Sequence, residues 1–189
     1  MASFFNSGSV LFLLSVVLFL TTQAAPVDNL FPVCKTVGGG SKYVGIQFCM
    51  DALHSDPRSA NGGNYQELAV VTVDLLTANA SRTKAKIVGL LGDGDDKTED
   101  ATKRSLRSCL ALFDSILQSQ PGCAAAVKDG KFSEATSSLE KSAAAAKECE
   151  GGFSKSNVAS PVTVENDNAF QLAKLAVALI RITSYSLRS

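Results

Sequence analysis

The chain has 189 residues, with 18 Lys and Arg against 18 Asp and Glu, a single His and no Trp. Zero net charge argues against a nucleic-acid binder, which needs a basic face to displace counterions from phosphates. One His leaves no room for a multi-histidine metal site, and any Ser/His/Asp triad would have to use His54.

Much of the apolar content sits near the start. Val10 to Leu20 reads VLFLLSVVLFL, followed by the small residues Ala24 and Ala25 and then Pro26. A membrane span needs about 20 apolar residues. The stretch is therefore read as the h-region of a signal peptide over 1–25, although its n-region has no Lys or Arg. Residues 26–189 then form the mature, exported chain, free of the membrane after cleavage. Export gives meaning to the sequon Asn79-Ala80-Ser81, which makes Asn79 a glycan acceptor.

The mature chain reads as an N-terminal hairpin, 26–60, and a four-helix bundle, 61–189. The hairpin pairs helices over Asp28 to Val37 and Tyr43 to Leu53, with Gly38-Gly39-Gly40 between them. The first long helix covers Gln66 to Leu91. Its Ala69, Val73, Leu76, Ala80, Thr83, Ile87 and Leu90 recur at steps of four and three, one stripe of a helix packing at small crossing angle. Gly92-Asp93-Gly94-Asp95 stops it. A second helix starts near Asp100 with Leu106, Cys109, Phe113 and Ile116 on one face. A third starts near Ser133 with Ala135, Leu139, Ser142, Ala146 and Cys149, and its small residues predict close approach to neighbours. Gly151-Gly152 is expected to end it, with Ser154 to Ser160 as a polar connector. The last helix is expected from Ser160 and Pro161, a capping residue and then proline at the first helical position. Phe170, Ala173, Val177 and Ile180 form its stripe, widened by Leu172, Leu175, Leu179 and Ile182. No segment reads as a strand. The fold class is all-α, an up-down-up-down bundle.

The five cysteines constrain it further. Spacing alone leaves several pairings open. In an antiparallel helical hairpin, residues equidistant from the turn face each other. Cys34 and Cys49 centre between Ser41 and Lys42, beside the glycine run, and Cys109 and Cys149 centre on Asp129, beside Gly130. Both pairs read as clamps across helix hairpins, each stabilising by about 2–4 kcal/mol through loop-closure entropy. Cys123 is left over. It is read as a buried free thiol, with an exposed, dimerising thiol and a different pairing as alternatives.

The acidic run Asp93, Asp95, Asp96, Glu99 and Asp100 lacks the ligand spacing of a calcium loop and reads as a solvated helix start favoured by the macrodipole. His54, with Asp51 and Asp56 nearby, has no accompanying nucleophile motif and reads as a surface histidine. No enzyme, cofactor or metal site is expected.

Cys34 and Cys49 in a leading hairpin are followed by Asp51-x-Leu53 and Asp56-Pro57-Arg58-Ser59. After Cys109 come Cys149-Glu150-x-Gly152-Phe153, Ser160-Pro161-Val162-Thr163 and Asn166. In that order and spacing the chain resembles the plant invertase and pectin methylesterase inhibitor family over essentially its whole mature length. It looks most like the invertase-inhibitor and pollen-allergen branch. The resemblance implies a four-helix bundle with an N-terminal hairpin, the disulfides Cys34–Cys49 and Cys109–Cys149, and a secreted inhibitor of a plant carbohydrate-active enzyme. Acid invertase in the apoplast or vacuole is the leading target and pectin methylesterase the alternative. A non-inhibitory helical-bundle allergen or apolar-ligand carrier is a second alternative, with a monomer expected over a dimer. In invertase inhibitors of this family a Pro-Lys-Phe turn before the third bundle helix is thought to enter the target's acidic pocket. Gly130, Lys131 and Phe132 occupy that turn here. Glycine in place of proline is expected to loosen it and raise the ordering cost of binding.

Overall fold

The computed structural model describes residues 29–61, 64–92 and 100–187. The expected signal peptide and the acidic residues Asp93, Asp95, Asp96 and Glu99 lie outside them. In chain order the elements are α1 (Leu30–Gly40), α2 (Ile46–His54), a 3-10 turn (Pro57–Asn61), α3 (Tyr65–Gly92), α4 (Asp100–Lys128), α5 (Phe132–Lys155) and α6 (Thr163–Ser186). No strand occurs among the described residues. No helix among them is long and apolar enough to cross a membrane.

The stripe spacing of α3 to α6 sets their packing. Ala69, Val73, Leu76, Ala80, Thr83 and Ile87 of α3 are all buried, as are Leu106, Cys109, Phe113 and Ile116 of α4. Each Leu, Ile or Phe so placed is worth about 1.5–3 kcal/mol in removal from water. The buried threonine hydroxyls of α3 are satisfied within the helix: Thr72 donates to the Leu68 carbonyl and Thr83 to that of Asn79. The four long helices form a closed ring of contacts, α3 to α4, α4 to α5, α5 to α6 and α6 back to α3. The α4–α5 turn, the start of α3 and the end of α6 therefore share one end of the bundle. α1 and α2 pack on each other and against α3 and α6. Disulfides join Cys34 to Cys49 and Cys109 to Cys149, with Cα–Cα distances of 5.5 and 4.7 Å.

Four boundaries differ from the sequence reading by three residues or more, each for a local reason; one is that α2 begins at Ile46 and not at Tyr43, whose amide is taken up by the preceding turn. Gly38 to Gly40 lie inside α1, and the turn follows them, where the Ser41 hydroxyl accepts from the amides of Tyr43 and Val44. Gly38 is needed for close approach, because a Cβ there would stand 2.7 Å from Ile46 Cγ1. α5 runs through Gly151-Gly152 because Phe153, 1 % exposed, continues its buried stripe past Cys149. It ends instead with Asn157 at φ 52°, where the Asn157 and Val158 amides bond back to the Ser154 and Phe153 carbonyls. α6 begins at Thr163; Ser160 and Pro161 precede it, and Ser160 Oγ accepts from the Val162 amide.

Candidate functional site

The end of α4 is closed by a Schellman motif. The Gly130 amide bonds to the Val127 carbonyl at 3.2 Å and the Lys131 amide to that of Ala126 at 2.8 Å. That pattern requires a left-handed residue at position 130, and Gly130 has φ +72°. Gln66, in the first turn of α3, adds a brace: its Nε2 donates to the carbonyls of Val127 at 2.8 Å and Lys128 at 3.2 Å. The turn is held by four bonds, so the loosening expected from glycine is not what the geometry gives. Glycine is the residue that lets this cap close.

The turn gives its side chains different placements. Lys131 is exposed, with Nζ 3.5 Å from an equally exposed Asp129 carboxylate. In water such a pair contributes at most about 1 kcal/mol and leaves the ammonium open to a stronger partner. Phe132, the first residue of α5, is half-buried against the core, with one part of its ring left to the surface. Lys131, Phe132 and Glu134 line a shallow groove of about 490 Å³, closed on its far side by Ser184 and Leu187 at the end of α6. Lys128 and Lys131 are set against Asp129 and Glu134, so position, and not net charge, distinguishes Lys131.

The other candidates lie elsewhere. Asn79 is in the middle of α3, 6 % exposed, at the edge of a groove walled by Phe48 of α2 and Leu172 of α6. The sequon's Asn79 is thus largely buried once the chain has folded. His54 is exposed in the last turn of α2. Cys123 is free and buried, its thiol donating to the Ala135 carbonyl at 3.7 Å, and burial pushes that thiol up from its ordinary value. No three His, Cys, Asp or Glu side chains among the described residues are grouped to hold a metal ion.

Two networks escaped the sequence reading although their members lie in the quoted motifs. Arg58 grips Asp56 through Nε at 3.0 Å and Nη2 at 2.7 Å, and Asp74 of α3 through Nη1 at 2.7 Å. Its guanidinium holds the Asp56 carboxyl below the usual carboxylate range. At the opposite end of the bundle, Glu150 of α5 accepts from Thr163 Oγ1 and from the buried Asn166 Nδ2, both at 2.7 Å. Burial pushes Glu150 up, but the bonds from Asn166, Thr163 and Ser160 and the Lys147 charge together hold it below its ordinary value. These residues fasten the start of α6 to α5. Their spacing in sequence carries no sign of the pairing, which is tertiary.

Comparison with known proteins accords with this arrangement. The family model for plant invertase/pectin methylesterase inhibitors matches residues 33–179. A Platanus orientalis protein named "Putative invertase inhibitor" is 29 % identical over 150 residues, 79 % of this chain and 86 % of its own. A Platanus acerifolia protein of the same name is 27 % identical over 166 residues, 87 % of this chain and 90 % of its own. Among solved structures, a mutant form of a pectin methylesterase inhibitor from Arabidopsis superposes with a TM-score of 0.65 at 20 % identity, over 79 % of this chain and 93 % of that one. A pectin methylesterase inhibitor from Arabidopsis thaliana gives 0.58 at 18 %, over 83 % and 97 %. At those identities the likeness is one of fold. With the family match spanning most of the chain, the bundle, its hairpin and its two disulfides are those of a member of the plant invertase/pectin methylesterase inhibitor family.

Proposed function

We propose that this chain is an exported protein inhibitor of acid invertase that places Lys131 and the Phe132 ring in the mouth of the enzyme's active-site pocket. The observation that carries this is the braced turn at 130–132: an exposed ammonium beside a half-exposed aromatic ring, on a rigid corner of the bundle. The names of the two plane-tree relatives support the choice of target. Glycosidases work with a pair of carboxylates flanking the scissile bond. Carboxylates with ordinary values near 4 are largely ionised at about pH 5, while lysines carry charge throughout the acid range. A cation held at the pocket mouth is therefore attracted, and the inhibitor need perform no chemistry. Because the turn is already ordered, little conformational entropy is lost on docking. The disulfides suit an oxidising compartment such as the apoplast.

The test is titration of acid invertase, with pectin methylesterase as the comparison target, by the mature chain and its Lys131→Glu variant at about pH 5. Lys131→Glu is expected to weaken invertase inhibition at least tenfold while leaving the thermal midpoint within about 2 °C, since the exposed ion pair it removes is weak. Equal inhibition by the variant removes Lys131 from the mechanism. Inhibition of pectin methylesterase alone moves the target to that enzyme.

A further inference from the structure

A three-residue turn is too small to hold one protein on another. A specific interface covers about 800 Å² on each partner, several times what a Gly-Lys-Phe corner presents, so the contact has to spread, and the surface around the turn indicates the direction. Of the large apolar side chains that stand exposed, Tyr185 and Leu187 (both 73 %) lie at the end of α6, on the side of the turn, while Tyr43 (44 %) stands further back along α6 beside Phe170 and Lys174, and Phe31 and Ile46 belong to the hairpin. Val88 and Val164 belong to the opposite end of the bundle, at the end of α3 and the start of α6. Ser184 and Leu187 wall the groove beside Lys131. One helical face over, Arg181, Ile182 and Tyr185 wall a second groove of about 550 Å³ against the loop that carries Lys42 and Tyr43. The last turns of α6 are thus a ridge common to both grooves.

The chemistry of the second groove is specific. Its floor is apolar, from Val37, Val177 and Ala178, and its rim carries Lys42, Lys174 and Arg181 against one acid, Glu140. Glu140 is already paired with Lys174, whereas Arg181 has no ion pair or hydrogen bond among the described residues. Tyr43 is preset for contact. Its ring meets Phe170 edge-on at 5.4 Å, with Lys42 Nζ 5.0 Å and Lys174 Nζ 4.9 Å from its centre. The Cys34–Cys49 bond closes the hairpin behind it. Tyrosine and arginine on rigid supports are the residue types that dominate interface energetics.

We propose that Tyr43, Arg181 and Tyr185 form the second half of the docking surface, receiving an acidic rim of the target glycosidase while Lys131 occupies its pocket. The inference rests on the inhibitory function proposed above and names where that interface continues. The net positive groove complements an acidic rim, and a rim charge of this kind acts mainly on association rate and its salt dependence.

The experiment compares the parent mature chain with Arg181→Glu, Tyr185→Ala, Lys131→Glu and, as a control from the far end, Val88→Ser. Each is assayed for inhibition of acid invertase, for binding kinetics at low and high salt, for unfolding midpoint and for oligomeric state. Arg181→Glu is expected to weaken inhibition about tenfold through slower association, a difference that shrinks at high salt. Tyr185→Ala is expected to weaken it about tenfold through faster dissociation, and Val88→Ser to match the parent. Parent-like inhibition by both α6 variants while Lys131→Glu fails overturns the extended surface and leaves the inhibitory function standing. Absence of inhibition by the parent overturns both. A dimer of this chain that Arg181→Glu dissolves, with inhibition unchanged, assigns the patch to self-association and likewise overturns it.

Discussion

Substitution at Gly130 separates two physical accounts of the turn, because they differ in sign. A Cβ at position 130 meets nothing within 4 Å, so the change to alanine is purely torsional. Holding an L-residue in the left-handed region costs about 1–2 kcal/mol. The narrower unfolded ensemble of alanine returns about 0.4–1 kcal/mol. The net expectation for Gly130→Ala is a loss centred on about 0.8 kcal/mol and at most about 1.6 kcal/mol, or about 2–3 °C in midpoint at the centre of that range for a domain of this size. Asparagine, which tolerates the left-handed region, falls between glycine and alanine. Proline cannot adopt φ +72° and has no N–H for the Val127 carbonyl, so both bonds of the motif break. At about 1 kcal/mol per bond plus the rearranged turn, Gly130→Pro is expected to lose about 3 kcal/mol. Urea unfolding of the four proteins should rank them Gly, Asn, Ala, Pro. If glycine merely loosened the turn, alanine and proline would raise the midpoint by restricting the unfolded chain. An alanine variant more stable than the parent refutes the Schellman assignment. The same series predicts that Gly130→Pro, although it creates the tripeptide Pro-Lys-Phe, weakens inhibition, because the Lys131 backbone is no longer held.

Three further outcomes follow from buried or paired groups. Glu150 has a folded-state value below its unfolded one, so its stabilisation is present above the ordinary glutamate range and is lost as pH falls through the folded value. Glu150→Ala should therefore lose about 1–3 kcal/mol near neutral pH, with a penalty that shrinks at about pH 3; a penalty independent of pH would count against the latch. Cys123 should resist alkylation in the folded protein and react once denaturant is added, giving a single reactive thiol. Rapid labelling under native conditions would place that thiol at the surface. Asn79 should carry no glycan when the chain is exported from a glycosylating cell, and a shift in intact mass on deglycosylation at that position would contradict its burial.

What the sequence made legible was the periodic part of the molecule. The stripes of α3 to α6 predicted buried faces, from Ala69 to Ile87 and from Leu106 to Ile116, because a 3.6-residue repeat and an apolar side are local properties. Helix ends were less legible, since glycine has two opposite uses. Gly151-Gly152 looked like a stop, yet the burial of Phe153 two residues later outweighs the propensity penalty of about 1 kcal/mol per glycine. Gly38 looked like a turn and is instead the bare spot on α1 that admits Ile46. At the candidate site, the tripeptide 130–132 could be placed through the family resemblance, but its stiffness could not. That depends on Gln66, more than sixty residues upstream, whose reach to Val127 and Lys128 exists only once α3 and α4 lie side by side.

The residues that identify the family are, for the same reason, poor guides to the target. Asp56 and Arg58 engage each other and Asp74; Glu150, Thr163 and Asn166 bond among themselves; the four paired cysteines clamp helices. Each of these side chains has its partner inside the chain, and one already held by a short charged bond has little left to offer another protein. Membership in the family thus reports a scaffold: a bundle whose α6 is latched to α5 at one end and whose α4–α5 corner is braced at the other. Choice of target has to reside in side chains that the scaffold leaves open to solvent, and around that braced corner Lys131, Arg181, Tyr185 and Leu187 have that character. A close relative with the same latch and the same clamps but different residues at these four positions should fold alike and inhibit a different enzyme.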